Sequence, residues 1–324
     1  MYNLKELQDL INKKISNEKI GREPFSLYDP IKYTLESGGK RISPVLVLMT
    51  CNLFSDKIEH ALRPAIGLEI FHNFTLLHDD IMDHADIRRG NPTVHKKWNE
   101  NAAILYGDAM IIKAYEYFLD SKSTNFREIL KIFNSTALEV CEGQQYDMEF
   151  EEKAIVTEAE YLRMIELKTS VLLAAALKIG ALLGGANEKD ADLLYQFGLN
   201  IGLAFQLQDD YLDVYGDVKV FGKKIGGDIV ANKKTFMLIK AQEMARGEIK
   251  EQLNQLLNEQ DVDRETKIKA VTKIYNDINI REIVKETIEE YNGKAMDLLS
   301  KVSVDDNKKS ELKKLAENLI KRKS

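Results

Sequence analysis

Apolar positions recur at intervals of three and four along nearly the whole chain, the spacing of amphipathic α-helices. Leu4, Leu7, Leu10 and Ile11 make one such face, which predicts a helix over 3–19. The same period predicts long helices over 57–83, 101–120, 126–150, 157–184 and 188–217, and residues 230–322 continue as shorter, more charged helical segments. Gly38–Gly39, Gly90–Pro92, Gly184–Gly185 and Gly226–Gly227 interrupt the pattern and mark turns. No alternating apolar–polar stretch is bounded by hairpin turns, so no strand is expected. The expected fold is an all-α bundle whose core helices carry their functional groups inward.

Length and composition narrow this picture. A chain of 324 residues fits one large domain or two small ones. No composition shift or Pro/Gly/Ser-rich linker divides it, and only five prolines occur, so a single domain over 1–324 is expected. The formal net charge of −6 argues against nucleic acid as a partner, because affinity for a phosphate backbone needs clustered Lys and Arg. Two cysteines, Cys51 and Cys141, are too few for a disulfide framework and point to a reducing cytoplasm. The start, MYNLKELQDLINKKISNEK, lacks an apolar signal core, and no run approaches the roughly 18 apolar residues of a membrane span. A cytoplasmic chain without stable membrane insertion is expected.

The candidate chemistry centres on 76–90, LLHDDIMDHADIRRG. On a helix, Asp79 and Asp83 share a face and Asp80 lies alongside, so three like charges crowd within about one turn. A cation would relieve that repulsion, and hard carboxylate oxygens suit Mg²⁺, which completes its shell with water and substrate phosphates. A lone acidic run is commonly a solvated helix face. This chain carries a second copy, FQLQDDYLD, in which Asp209, Asp210 and Asp213 keep the same spacing after apolar Ile201, Leu203, Ala204 and Phe205. Carboxylates on an apolar helix are costly unless they bind something. The repeat therefore points to two helices that jointly hold a metal–diphosphate.

Cationic and polar groups gather around these clusters. In GGKRISP, Gly38 and Gly39 permit a tight turn, and Lys40 and Arg41 offer donors suited to phosphate; an ordinary basic helix C-cap is the alternative. Arg88 and Arg89, before a glycine, can reach two phosphate groups or simply pair with Asp83 or Asp86. Lys168 and Thr169 precede an apolar, Ala-rich helix and suggest a pocket wall, or merely a surface-to-core boundary. Gln144 and Asp147 lie near one helix face, and Lys223, Lys224 and Lys233 follow the second acidic cluster. The five histidines, His60, His72, His78, His84 and His95, form no HExxH, so a zinc site is not expected. Neither a nucleophile elbow nor a GxxxxGK[ST] loop is present.

Taken in order, GGKRISP, LLHDDIMD with ADIRRG, EGQQYD, LKTS, and FQLQDDYLD with GKKIGGD resemble the trans-isoprenyl diphosphate synthases, the family of farnesyl and geranylgeranyl diphosphate synthases. The matching motifs run from residue 38 to 235. The resemblance implies a bundle of long antiparallel helices around a deep central cavity, a homodimer, and about three Mg²⁺ ions bridging both Asp clusters to an allylic diphosphate. By position, Asp79, Asp83 and Asp209 would be direct ligands, and Asp80, Asp210 and Asp213 would act directly or through metal-bound water. Arg88, Lys168 and Lys233 would bind the allylic diphosphate. Lys40, His72 and Arg89 would bind isopentenyl diphosphate, within a substrate site that also takes in Gly39, Arg41, Gln144 and Lys223. The Lys168 carbonyl, the Thr169 hydroxyl and the Gln206 amide would stabilise the allylic cation, and the departing diphosphate would take the proton lost on condensation.

One departure concerns GGKRxRP, the usual form of the first motif, because Ser43 stands where the second arginine belongs. Losing that charge removes a charge-assisted bond of roughly 1.5–3 kcal/mol, which weakens the expected hold on isopentenyl diphosphate unless Arg41 turns inward. In the resembling family, aromatic residues four and five positions before the first Asp set product length. Those positions are Thr75 and Phe74, with Phe71 a further turn down, and Phe74 lies about 7.5 Å of helix from Asp79. An aromatic at the fifth position alone favours geranylgeranyl diphosphate over farnesyl diphosphate. Phe74 could instead be a core residue. Two other readings stay open. A class I terpene cyclase shares the DDxxD logic but carries an Asn/Ser-containing second motif, and a regulatory subunit of a prenyltransferase heterodimer typically loses one Asp motif.

Overall fold

A computed structural model describes residues 1–18, 21–121, 123–216, 225–259 and 262–320. Lys223 and Lys224 lie outside the described residues. The described chain is all-α apart from one small hairpin. Its elements run α1 (Leu4–Asn17), α2 (Phe25–Glu36), α3 (Ile42–Phe54), a 3₁₀ turn (Glu59–Ala61), α4 (Leu62–Met82), β1 (Ile87–Arg88), β2 (Asn91–Pro92), α5 (Val94–Lys97), α6 (Glu100–Leu119) and α7 (Phe126–Glu152). Then follow α8 (Glu158–Ile165), a π turn (Glu166–Ser170), α9 (Val171–Leu183), α10 (Glu188–Tyr215), α11 (Gly227–Val230), α12 (Phe236–Met244), α13 (Gly247–Asn258), α14 (Arg264–Asp277), α15 (Ile280–Ser300) and α16 (Asp306–Ile320).

These residues form two compact units. The first comprises Met1–Asn134, Ala175–Leu194 and Ser303–Leu312; the second comprises Ser135–Ala174, Tyr195–Val302 and Lys313–Ser324.

In the first unit, α3 is apolar on every side and correspondingly buried from Ser43 to Leu53. The core helix is α4, packed chiefly on α6 and α3. Gly67 of α4 meets Ala114–Phe118 of α6, and His78 of α4 meets Gly107 of α6, so the two helices run antiparallel. A Cβ on Gly67 would stand 3.1 Å from the Ala114 carbonyl oxygen, which shows how closely the backbones approach. Phe71, Phe118 and Phe133 form the aromatic centre, with Phe118 stacked on Phe133 at 4.3 Å and Phe71 edge-on to Phe133 at 5.3 Å. Burying such side chains contributes the main favourable term, roughly 1.5–3 kcal/mol each.

In the second unit, the predicted helix over 157–184 is interrupted. α8 begins with a capping box, in which the Thr157 side chain accepts from the Glu160 N–H and the Glu160 carboxylate accepts from the Thr157 N–H. The five-residue π turn follows before helical geometry resumes in α9. Two glycines on neighbouring helices accommodate the widened turn. A Cβ on Gly143 of α7 would lie 2.3 Å from the Lys168 backbone nitrogen, and one on Gly202 of α10 would lie 2.5 Å from the Ser170 Cα.

The hairpin was not expected from the sequence. Ile87 pairs with Pro92 and Arg88 with Asn91. The turn residues Arg89 and Gly90 both have positive φ, 53° and 76°, as a type I′ turn requires. Two residues per strand are too few to show alternation.

Candidate functional site

The first Asp cluster closes α4. Asp79 and Asp80 lie in its last turn and Asp83 is its C-cap. The second occupies the last two turns of α10. Each therefore sits where unsatisfied carbonyls make the helix end negative, which adds to the mutual repulsion of the carboxylates and favours a cation. The clusters also share a pattern of burial. Their middle members, Asp80 and Asp210, are each 5% exposed, and Asp79, Asp209 and Asp213 are half-buried. Asp83 is exposed.

Each buried middle carboxylate is held by its own unit. Arg88 donates from Nε to Asp80 Oδ1 at 2.7 Å and from Nη2 to Asp79 Oδ2 at 3.3 Å. Burial raises the Asp80 carboxyl above the usual range, and the Arg88 guanidinium opposes that rise. Arg88 thus turns to Asp79 and Asp80, and Asp86 pairs with Lys96 at 2.9 Å. In the second unit the Tyr161 hydroxyl donates to Asp210 Oδ2, and Gln206 Nε2 donates to Asp210 Oδ1 at 3.1 Å. Burial, followed by the charge of Asp228, pushes the Asp210 carboxyl up to about 7, against the pull of these two donors. The neighbouring Asp213 accepts the Asp228 N–H through Oδ2 at 3.0 Å.

The π turn places Lys168 and Thr169 beside these groups. Thr169 Oγ1 donates to Gln206 Oε1 at 3.2 Å, which links the turn to Asp210 through one amide. Lys168 Nζ donates to Asp147 Oδ2 at 2.6 Å, and Lys233 Nζ lies 3.9 Å from the same oxygen. Burial draws the Asp147 carboxyl upward, but Lys233 and Lys168 outweigh it and the net shift is downward. Gln144 is half-buried one turn before Asp147. One carboxylate thus gathers the two lysines that lie far apart in sequence.

In the first unit, Arg89 donates to the Gly38 carbonyl oxygen. A Cβ on Gly39 would stand 2.7 Å from the Arg89 guanidinium carbon, and Gly39 has a φ of +128°, so only glycine suits this contact. Ser37, Asn73, Asp80, Arg88 and Arg89 line a shallow cleft that opens to solvent. Lys40 is exposed, with its carbonyl accepting from Gln8 Nε2 at 2.8 Å. His72 is half-buried, and that burial lowers its pKa.

Three expectations need correction. Arg41 is not a phosphate donor: its side chain is 3% exposed and paired with Glu69 Oε1 at 2.7 Å, with further bonds to the Leu35 carbonyl and to Asn12 Oδ1. It holds the GGKR turn onto α4. Ser43 is buried within α3 at 4% exposure, so it belongs to helix packing and cannot stand in for the absent arginine. Phe71, with no exposure, is an aromatic core residue and not a second stop for a growing chain. Phe74 is half-buried beside it at 5.6 Å, and the Thr75 hydroxyl is turned to the His72 carbonyl at 2.8 Å.

Sequence reasoning missed Tyr161, Asp147 as an anchor for the lysines, and Glu69. Glu69 leaves a signal as a charged residue inside the apolar run of α4, and Asp147 lies in the EGQQYD motif without any sign of which lysines it holds; nothing local marks Tyr161.

A polyprenyl synthetase family model matches residues 25–278. A geranylgeranyl diphosphate synthase of Methanosarcina mazei is 44% identical over 220 residues, 67% of this chain and 68% of that one. Another from Sulfolobus acidocaldarius is 36% identical over 324 residues, 98% of this chain and 97% of that one. A crystal structure of geranylgeranyl pyrophosphate synthase superposes with a TM-score of 0.94 at 43% identity, covering 100% of both chains. With a match across most of its length and the acidic repeat at the ends of two long helices, this chain belongs to the polyprenyl synthetase family.

Proposed function

We propose that the chain is a Mg²⁺-dependent prenyltransferase that condenses isopentenyl diphosphate head-to-tail with an allylic diphosphate, making a short all-trans prenyl diphosphate, geranylgeranyl in preference to farnesyl. The observation that carries this reading is the repeated acidic cluster, each copy at the negative end of an apolar helix with its middle carboxylate buried and held. The donor set fits Mg²⁺, which takes one or two carboxylates and shares the substrate's phosphate oxygens. Asp79, Asp80, Asp83, Asp209, Asp210 and Asp213 would hold about three such ions. The chemistry supplied there is neutralisation of charge on the leaving diphosphate, which eases ionisation of the allylic carbon–oxygen bond.

The chain's own groups do the rest. Lys168 and Lys233, gathered by Asp147, and Arg88 bind the allylic diphosphate, with Gln144 alongside. Lys40, His72 and Arg89 bind isopentenyl diphosphate, Gly39 leaving space for the Arg89 guanidinium. A dry pocket keeps water from the allylic cation, and the Lys168 carbonyl, Thr169 hydroxyl and Gln206 amide present fixed dipoles to it. The Thr169–Gln206–Asp210 bonds keep two of these dipoles oriented before substrate arrives. No side-chain base is assigned, and the departing diphosphate accepts the proton. Phe74 is the floor against which the growing chain stops.

The same reading includes a single functional domain, a cytoplasmic location and a homodimer. Among the described residues no helix is long and apolar enough to cross a membrane. Leu105, Ile112 and Leu119 form an exposed apolar stripe at seven-residue spacing on α6, a seam suited to a second copy. Incubating the purified chain with isopentenyl diphosphate and each allylic starter, and sizing the products, tests the proposal. Mg²⁺-dependent prenyl diphosphates are expected; a released hydrocarbon would favour a terpene cyclase, and no turnover by the chain alone would favour a partner subunit.

A further inference from the structure

Resting on Phe74 as the floor of the product channel, we infer that His78 and Gly107 determine product length by fixing where the Phe74 ring stands. Phe74 and His78 are one turn apart on the same face of α4, with ring centroids 4.7 Å apart in an edge-to-face arrangement. The imidazole is itself confined. Its Nε2 lies 3.4 Å from the Ile104 carbonyl oxygen of α6, and it fills the space where Gly107 lacks a side chain. A Cβ on Gly107 would come within 2.1 Å of His78 Nε2 and 2.6 Å of Cδ2, so the ring and any larger residue there exclude each other.

On its other side Phe74 meets Phe71 at 5.6 Å, and Phe71 is locked against Phe133 at 5.3 Å. Phe74 is therefore the half-buried end of an aromatic series rooted in the core, set between the fully buried Phe71 ring and an imidazole seated against α6. The clamp, and not the identity of residue 74 alone, sets how far the floor can yield. An edge-to-face pair of this kind biases a ring between two positions by about two- to tenfold, so loss of the clamp changes a product ratio and not merely a rate.

The test compares product chain lengths after exhaustive incubation with isopentenyl diphosphate and an allylic starter, so that slow variants still give an answer. His78→Ala should raise the ratio of longer to parent-length product by about two- to tenfold. Gly107→Ala should shift the distribution away from the parent by displacing the imidazole, and adding it to His78→Ala should change nothing further, because there is no ring left to displace. His78→Phe, which keeps an aromatic edge against Phe74, should restore the parent length. A parent distribution from His78→Ala, while Phe74→Ala lengthens the product, overturns the clamp and leaves the floor in place. A parent distribution from Phe74→Ala instead removes the floor itself. A merely structural role for His78 would lower the denaturation midpoint without moving the ratio.

Discussion

Replacing Glu69 with glutamine isolates the charge of one buried ion pair. The Arg41 side chain is 3% exposed and that of Glu69 2%, with 2.7 Å between Nη1 and Oε1. Glu69 Oε1 also accepts from Asn73 Nδ2 at 3.0 Å, whereas Oε2 is buried with no hydrogen-bond partner among the described residues. Glutamine keeps the volume and can keep an acceptor at Oε1, but leaves the Arg41 guanidinium buried without a counter-charge. Removing one member of such a pair costs about 3–5 kcal/mol, and the bonds that Arg41 retains to the Leu35 carbonyl and Asn12 place the expected loss near the lower bound, about 3 kcal/mol. Urea denaturation at pH 7 reads this as a lowered midpoint with an unchanged slope. Arg41 follows Lys40 directly, so the KM for isopentenyl diphosphate should rise as well. The double variant Arg41→Met/Glu69→Leu removes both charges and should recover most of the stability, since Asn73 still donates to the Glu69 carbonyl at 2.8 Å. A loss below about 1 kcal/mol in Glu69→Gln would refute the view that this pair fastens the GGKR turn to α4.

Asp79→Ala or Asp209→Ala should each lower kcat by about 10³-fold or more with helical circular dichroism unchanged; near-parent turnover in either would remove the two-cluster reading. Asp210, pushed up to about 7 in the fold, titrates near 4 when unfolded, so between those values the folded chain keeps a proton the unfolded chain has lost. Metal-free stability should therefore increase as pH falls from 7 towards 4, while calorimetric Mg²⁺ affinity with an unreactive allylic diphosphate analogue should gain up to about tenfold per pH unit up to 7 and then level off; a flat profile, or one unchanged in Asp210→Asn, contradicts this. Gly143→Ala drives a Cβ to 2.3 Å from the Lys168 nitrogen and should cut turnover about 10²-fold, whereas Gly293→Ala, helical with nothing within 4 Å, should leave turnover alone and raise the urea midpoint.

The helical period made the long elements legible within a few residues. α6 spans Glu100–Leu119 where 101–120 was expected, and α10 spans Glu188–Tyr215 where 188–217 was expected. The acidic repeat was legible because its spacing is local. The missed features depend on partners distant in the chain. The π turn is invisible because Leu167 and Val171 continue an apolar helical pattern, and its room comes from Gly143 and Gly202 on other helices. Arg41 reads as a phosphate donor until Glu69, well along the chain, is seen to neutralise it. Ser43 reads as a weakened ligand until the burial of α3 is known.

The π turn has a consequence for how this segment tolerates change. It accommodates one residue more than an α-helical turn needs, and that surplus is what offsets Lys168 and Thr169 from the rows of α8 and α9. Deleting any single residue of Glu166–Ser170 would let α8 run straight into α9 as one regular helix, turning everything upstream by about 100° and moving it about 1.5 Å along the axis. Tyr161 would then no longer face Asp210. An exchange of side chains in the turn leaves that register as it is, whereas the loss of one residue resets it for the whole of α8.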